Sequence, residues 1–228
     1  MKTLATLDRP TWLPPSAWPW DTCALGRDGA RIAVTDTGRG PTLLFVHVGS
    51  WSFVWRDVLL RLQNDFRCVT VDAPGCGLSD PVPAPTLAHA GDAVTAVIDA
   101  LQLRDVTLVA HDLGGPAGFL AAARRADRAV FRAGIGVPAR RAWHAYFRDA
   151  RGEQTLYAEV DAALRGSLAN RPLLTIFGQF NDPLRFQPRW KALFPNASQL
   201  KVRRGNHFPM CDDPDLVASE LKSFVQQL

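Results

Sequence analysis

Four short apolar runs restrict the fold most sharply: Thr42 to His47 (TLLFVH), Cys68 to Asp72 (CVTVD), Val106 to Ala110 (VTLVA) and Leu173 to Phe177 (LLTIF). They are continuous rather than alternating and rich in β-branched residues, as strands buried on both faces are. Between them lie helical stretches at Ser52 to Leu62, Thr86 to Leu101, Phe119 to Arg128 and Arg185 to Phe194. In the second of these, Leu87, Ala90, Val94, Val97, Ile98 and Leu101 share one face. Gln199 to Val202 is a last short strand, and Leu216 to Leu228 an amphipathic helix with Asp213 or Asp215 as its cap. Alternating strands and helices predict an α/β protein with a mostly parallel sheet covered by helices on both faces. Ahead of this pattern, Thr22 to Leu25 and Ala30 to Asp36 flank the Arg27-Asp28-Gly29 turn as an edge hairpin. Residues 9 to 20, RPTWLPPSAWPW, are too proline-rich for a helix or central strand and read as an irregular arm pinned by Trp12, Trp18 and Trp20.

At 228 residues the chain is long enough for one sizeable domain. The formal charge of +4 comes from scattered arginines, so clusters such as Arg124-Arg125-Arg128 and Arg140-Arg141 are solvated faces or a weakly anion-attracting rim, not a nucleic-acid footprint. Cys23, Cys68, Cys76 and Cys211 have no disulfide-framework spacing, the opening MKTLATLDRP lacks the apolar run of a secretory signal, and the longest apolar stretches are strand-sized. The expectation is a soluble cytoplasmic protein with free thiols and no membrane contact. His47, His89, His111, His144 and His207 lack metal-ligand spacing, and Gly75 and Gly77 form only a lone glycine pattern, so neither a metal nor a nucleotide cofactor is expected. The expected partner is a small-molecule substrate, and the expected state a monomer or weak homo-oligomer.

The most informative stretch follows the third apolar run: Leu108-Val109-Ala110-His111-Asp112-Leu113-Gly114-Gly115. Small residues stand two positions either side of Asp112, as a very sharp strand-to-helix turn needs, because larger side chains at Ala110 or Gly114 would collide across it. Such a turn lifts the Asp112 carboxylate above the sheet, where the next helix's N-terminus favours an anion and keeps it ionised. The plainer alternative is an ordinary helix cap. His111 reads as packed beside the turn. Gly205-Asn206-His207-Phe208-Pro209 lies just past the last strand, and Asp182, in Gly178-Gln179-Phe180-Asn181-Asp182-Pro183, just past a buried one, so both reach the ligand-binding edge of a parallel sheet. An acid on one ring nitrogen of His207 would fix its tautomer and free the other to activate water; Asn-Asp-Pro is also a good turn.

The chain order Asp112, Asp182, His207 is that of nucleophile, acid and histidine in α/β hydrolases. With these residues placed, the chain resembles the haloalkane dehalogenase and epoxide hydrolase branch of that superfamily. The resemblance rests on His111-Asp112-Leu113-Gly114-Gly115, on His47 closing a strand, on Trp51-Ser52-Phe53-Val54-Trp55-Arg56, and on Asp72-Ala73-Pro74-Gly75-Cys76-Gly77-Leu78-Ser79. It covers roughly residues 20 to 128 and 170 to 228, and implies an α/β-hydrolase fold with an abbreviated helical cap at 134–170 within the single domain.

A carboxylate attacking an alkyl carbon gives an ester that a base-driven water can cleave, so Asp112 points to substitution at carbon. Leu113 and Val48 or Gly49 would hold the oxyanion through their N–H groups. Residues expected to line the substrate space are His47, Trp51, Trp55, Trp143, Tyr146 and Phe208. Related dehalogenases place a tryptophan after the nucleophile, where this chain has Leu113, and often His-Gly-Asn-Pro at the oxyanion loop, where it has His47-Val48-Gly49-Ser50. The reading expects carbon–halogen cleavage first. Epoxide opening, with Tyr146 and Tyr157 as acids, is an alternative, and a non-catalytic member binding a small ligand is another.

Overall fold

The structure, a computed structural model, describes residues 4–27, 29–127, 129–130, 146, 149–182 and 185–228. A seven-stranded sheet runs in the order β1-β2-β3-β5-β4-β6-β7, built from β1 (Ala5–Thr6), β2 (Cys23–Arg27), β3 (Ala30–Gly38), β4 (Thr42–Val48), β5 (Arg67–Asp72), β6 (Val106–Asp112) and β7 (Ala129–Val130). The first three strands and β5 pair antiparallel, while β5, β4, β6 and β7 pair parallel. The mostly parallel sheet expected from the apolar runs is therefore a mixed one, because the edge hairpin and the short β1 extend it on one side. Two further strands, β8 (Leu174–Gly178) and β9 (Ser198–Val202), pair parallel in a ladder of their own.

Every residue of β4 and β6 is buried, as the runs TLLFVHV and VTLVAHD require for strands covered on both faces. Helices α2 (Leu87–Ala100) and α3 (Gly114–Arg124) pack on one face, with Leu87, Val94, Ile98, Ala117 and Leu120 in its core. The other core holds Phe45, Val109, Ile176, α1 (Arg56–Leu62) and the last helix, α7 (Pro214–Gln226). Asp213 caps α7, accepting the Leu216 N–H at 3.0 Å. Helix α3 starts at Gly114, five residues before the expected Phe119. Pro116 falls in its first turn, where a missing N–H costs nothing, so Gly-Gly-Pro opens the helix instead of preceding it.

In the arm, Trp18 and Trp20 are buried as expected, whereas Trp12 is 64% exposed and touches Trp51 only edge to face. Arg9 holds the arm by donating to the carbonyls of Trp18 and Trp20. Within the expected cap, helix α4 (Gln154–Arg165) buries Leu156, Val160 and Ala163 in the core shared with α3, and Tyr146 is fully buried. Two further helices are α5 (Phe186–Leu193) and the single turn α6 (Pro209–Asp212).

A very close backbone contact lies where α3 leaves the sheet. A Cβ on Gly114 would stand 2.3 Å from the Val46 carbonyl oxygen and 3.0 Å from His47 Cα. Both are backbone and cannot turn aside. Gly114→Ala is expected to destabilise by about 3 kcal/mol in urea unfolding, the upper range of overpacking costs. Gly152→Ala, where nothing lies within 4 Å, serves as the matched control and stays near zero.

Candidate active site

Asp112 ends β6 with φ of +56°, a left-handed conformation that costs a non-glycine residue on the order of 1–2 kcal/mol. The strain buys position: the side chain is thrust up at the junction of β6 and α3, beside Val48, its register partner on β4. Gly49 and Ser50 follow directly, so the β4 loop borders the carboxyl group. Leu113 is helical and supplies an N–H that lowers the Asp112 pKa. Burial outweighs it and pushes the carboxyl up to about 8. The ionised state expected from the helix end is thus overturned at neutral pH: desolvation of a group only 7% exposed exceeds what one helix terminus returns.

His207 faces it across 4.0 Å, measured from Nε2 to Asp112 Oδ2. Neither atom has a hydrogen-bond partner among the described residues. Burial lowers the His207 pKa to about 4. The loop that carries it is tied to the elbow by His111, whose Nε2 donates to the His207 backbone carbonyl at 2.8 Å. His111 thus packs beside the turn, and it is buried and held neutral well below 6.5. Phe208 closes over this group, its ring centroid 4.4 Å from His207, 5.1 Å from His111 and 6.0 Å from His47.

The structure does not bring Asp182 to His207. Its carboxylate accepts the backbone N–H groups of Phe186 at 2.5 Å and Gln187 at 3.2 Å, serving as a cap for α5. The neighbouring Asn181 meets the ring instead, Nδ2 donating to His207 Nδ1 at 3.0 Å. Its reach depends on the close approach of two loops: Phe180 N–H donates to the Gly205 carbonyl at 3.0 Å, and a Cβ on Gly178 would stand 2.0 Å from the Asn206 carbonyl oxygen. Asn181 is the site residue the sequence reading passed over. The available signal was the spacing of Asp182 four residues ahead of Phe186, which already made it a cap for the coming helix.

The remaining candidates divide. His47, register partner of His111, is buried edge to face against it at 5.0 Å and lowered to about 4 by burial. Trp55 is buried, perpendicular to His111, with an indole N–H that has no partner among the described residues. Trp51 belongs to the arm cluster, stacked on Phe53 at 4.8 Å. Tyr146 is turned away, its hydroxyl donating to the Pro74 carbonyl at 2.6 Å, and Tyr157 is 38% exposed. Trp143 lies outside the described residues. A cavity of about 30 Å³ between Trp55, His111, Ile176 and Leu221 is room for little more than a water, too small for a substrate. Beside the site, buried Asp72 fastens the β4 loop to the next turn by accepting from the N–H groups of Ser52 and Leu78, each at 2.9 Å. No group of histidine, cysteine or carboxylate side chains among the described residues is arranged to hold a metal ion.

A strained residue at a strand-to-helix turn, a histidine loop beyond the last strand and a bordering β4 loop define the class: the chain is an α/β hydrolase by fold. The family described as "alpha/beta hydrolase fold" matches residues 41–152, about half the chain. A haloalkane dehalogenase of Agrobacterium tumefaciens C58 superposes with a TM-score of 0.74, at 20% identity, over 90% of this chain and 96% of that one. Among curated relatives, a haloalkane dehalogenase of Mycolicibacterium smegmatis is 41% identical over 108 residues, 44% of this chain and 35% of its own. A cis-3-alkyl-4-alkyloxetan-2-one decarboxylase of Shewanella oneidensis is 36% identical over 110 residues, 46% of this chain and 35% of its own. The matched stretches thus span about a third of these relatives' length. Within the fold, the matched stretch is similar to haloalkane dehalogenases.

The buried histidines make stability pH-dependent with a defined sign. A group whose pKa is depressed by folding contributes stability that is present above its unfolded pKa and lost as pH falls through the folded one. For His47 the window runs from 6.5 to about 4 and is worth roughly 3 kcal/mol. Urea unfolding at pH 7 and pH 4 should show wild type losing that much more than His47→Gln over the same interval.

Proposed function

We propose that the chain is a hydrolase that cleaves a carbon–halogen bond of a small alkyl substrate through a covalent ester on Asp112. The carrying observation is the Asp112 carboxyl at a φ of +56°, with an oxygen 4.0 Å from a His207 ring nitrogen and neither atom partnered among the described residues. An Asp112 oxygen attacks the alkyl carbon, the carbon–halogen bond breaks, and halide leaves. Water then adds to the ester carbonyl while His207 Nε2 takes its proton. The oxyanion falls to the N–H groups of Leu113 and of Val48 or Gly49, and collapse releases the alcohol and restores the carboxylate. Attack on a carbonyl would yield an anhydride, so ordinary ester hydrolysis is the poorer reading.

Two observations favour halide over an epoxide. Epoxide opening asks for acidic O–H donors, and Tyr146 spends its hydroxyl on Pro74 while Tyr157 sits at the surface. Trp55 keeps a buried N–H without a partner among the described residues, the kind of donor a departing halide needs. The decarboxylase relative supports one further substrate class: an oxetan-2-one ring also has an sp3 carbon bearing an oxygen leaving group, open to the same attack.

His207→Ala incubated with 1-bromobutane should gain the mass of a butyl group on the peptide containing Asp112, and Asp112→Asn should gain none. Unmodified protein that nevertheless releases bromide would exclude the ester. The first step also has a set pH dependence. Because burial raises the carboxyl to about 8, the nucleophile ionises only above it, so single-turnover bromide release should climb about tenfold per pH unit from 6 towards 8 and level off beyond.

A further inference from the structure

The third member of this site is an amide. Asn181 donates to His207 Nδ1, which leaves the ring proton on Nε2, facing Asp112 across 4.0 Å. That is the wrong tautomer for a base that must take a proton at Nε2. If the amide turns so that its oxygen accepts from Nδ1, the tautomer is corrected, but a neutral amide still brings no negative charge to the imidazolium that forms. The nearby carboxylates are engaged elsewhere: Asp182 accepts from the N–H groups at the start of α5, and Asp212 from the Asn206 N–H. Burial further opposes the charged ring, holding His207 at about 4.

The two half-reactions feel this unequally. Forming the ester uses only the Asp112 carboxylate and expels halide; it needs no proton from His207. Cleaving the ester requires water to lose a proton to Nε2, and it is there that an uncharged partner fails. We infer that Asn181 is a positioning residue that sets the tautomer and charge of His207 so that ester hydrolysis is the slow half-reaction, and alkylated Asp112 is the form that accumulates during turnover. This rests on the nucleophilic role proposed for Asp112. In serine proteases, exchanging the orienting carboxylate for an amide costs on the order of 10⁴-fold in turnover, which sets the scale available to a change in the opposite direction.

The test is rapid-quench bromide release from 1-bromobutane by wild type, Asn181→Asp and Asn181→Ala, with intact mass at each time point. Wild type should release about one bromide per chain in a fast phase, then continue slowly with the butyl adduct predominating. Above the Asp112 value of about 8, where the nucleophile is ionised in every variant, Asn181→Asp should leave the fast rate within about twofold and speed the slow phase by on the order of 10²-fold. Its His207 ring should titrate at higher pH by NMR, a change that restored packing alone would not cause. Asn181→Ala, if folded by circular dichroism, should keep the fast phase and remain slow in the second. Linear release with no adduct, or a slow phase unmoved in Asn181→Asp, would overturn the inference while leaving the aspartyl ester route intact. Absence of both bromide and adduct in all three proteins would instead remove the proposed function on which it rests.

Discussion

Everything in this site hangs on a backbone contact with no side chain in it. Gly114 sits so close to the Val46 carbonyl that α3 can follow β6 through so sharp a turn only because position 114 has no Cβ. That turn drives Asp112 into its left-handed conformation and sets its carboxyl level with Val48 and the loop beyond. Burial and strain at Asp112 are two effects of one geometry. The elbow lifts the group, and the packing of β4, His207 and Phe208 around it removes water. A carboxyl group brought there gains reactivity when ionised and becomes harder to ionise, so placement and protonation pull in opposite directions.

The division of labour between Asn181 and Asp182 shows how one turn can serve two masters. The N-terminus of α5 needs acceptors for its free N–H groups, and Asp182 gives both carboxylate oxygens to them. The next side chain along is then the one left to face the imidazole. A charged group could have been the partner of His207 only if the helix were capped by something else. The helix start and the histidine thus compete for one short loop, and the helix takes the charge.

The chain's architecture was legible because continuous apolar runs such as TLLFVH and VTLVA suit little besides buried parallel strands. The elbow was legible for the same kind of reason, since Gly114 two positions after Asp112 answers a steric demand that the structure displays atom by atom. The partner of His207 was not. Choosing between two adjacent residues depends on how far one loop rotates over another, here set by the contact of Gly178 with Asn206, and no local pattern carries a rotation. Nor could the sequence weigh the protonation of Asp112, where the helix end is visible in the residues but the loss of solvent appears only after the strands have closed around it. Tyr146 went astray likewise: a hydroxyl in a variable segment looks available until Pro74 is found beside it.

The bond from His111 to the His207 carbonyl joins residues 96 positions apart and carries a consequence for how such a chain can change over time. Together with the elbow it makes the reactive centre a closed mechanical loop fastened to β4, β6 and the strands after Leu173, with α4 packed behind α3 on the scaffold side. Helix α4, packed in the core, supplies none of the fastenings found among the described residues between Asp112 and His207. Changes on the outer face of that helix can therefore leave the reacting atoms at their spacing. The frame is conservative in the engineering sense: its fastenings lie in β4, β6 and the two loops that meet at His207.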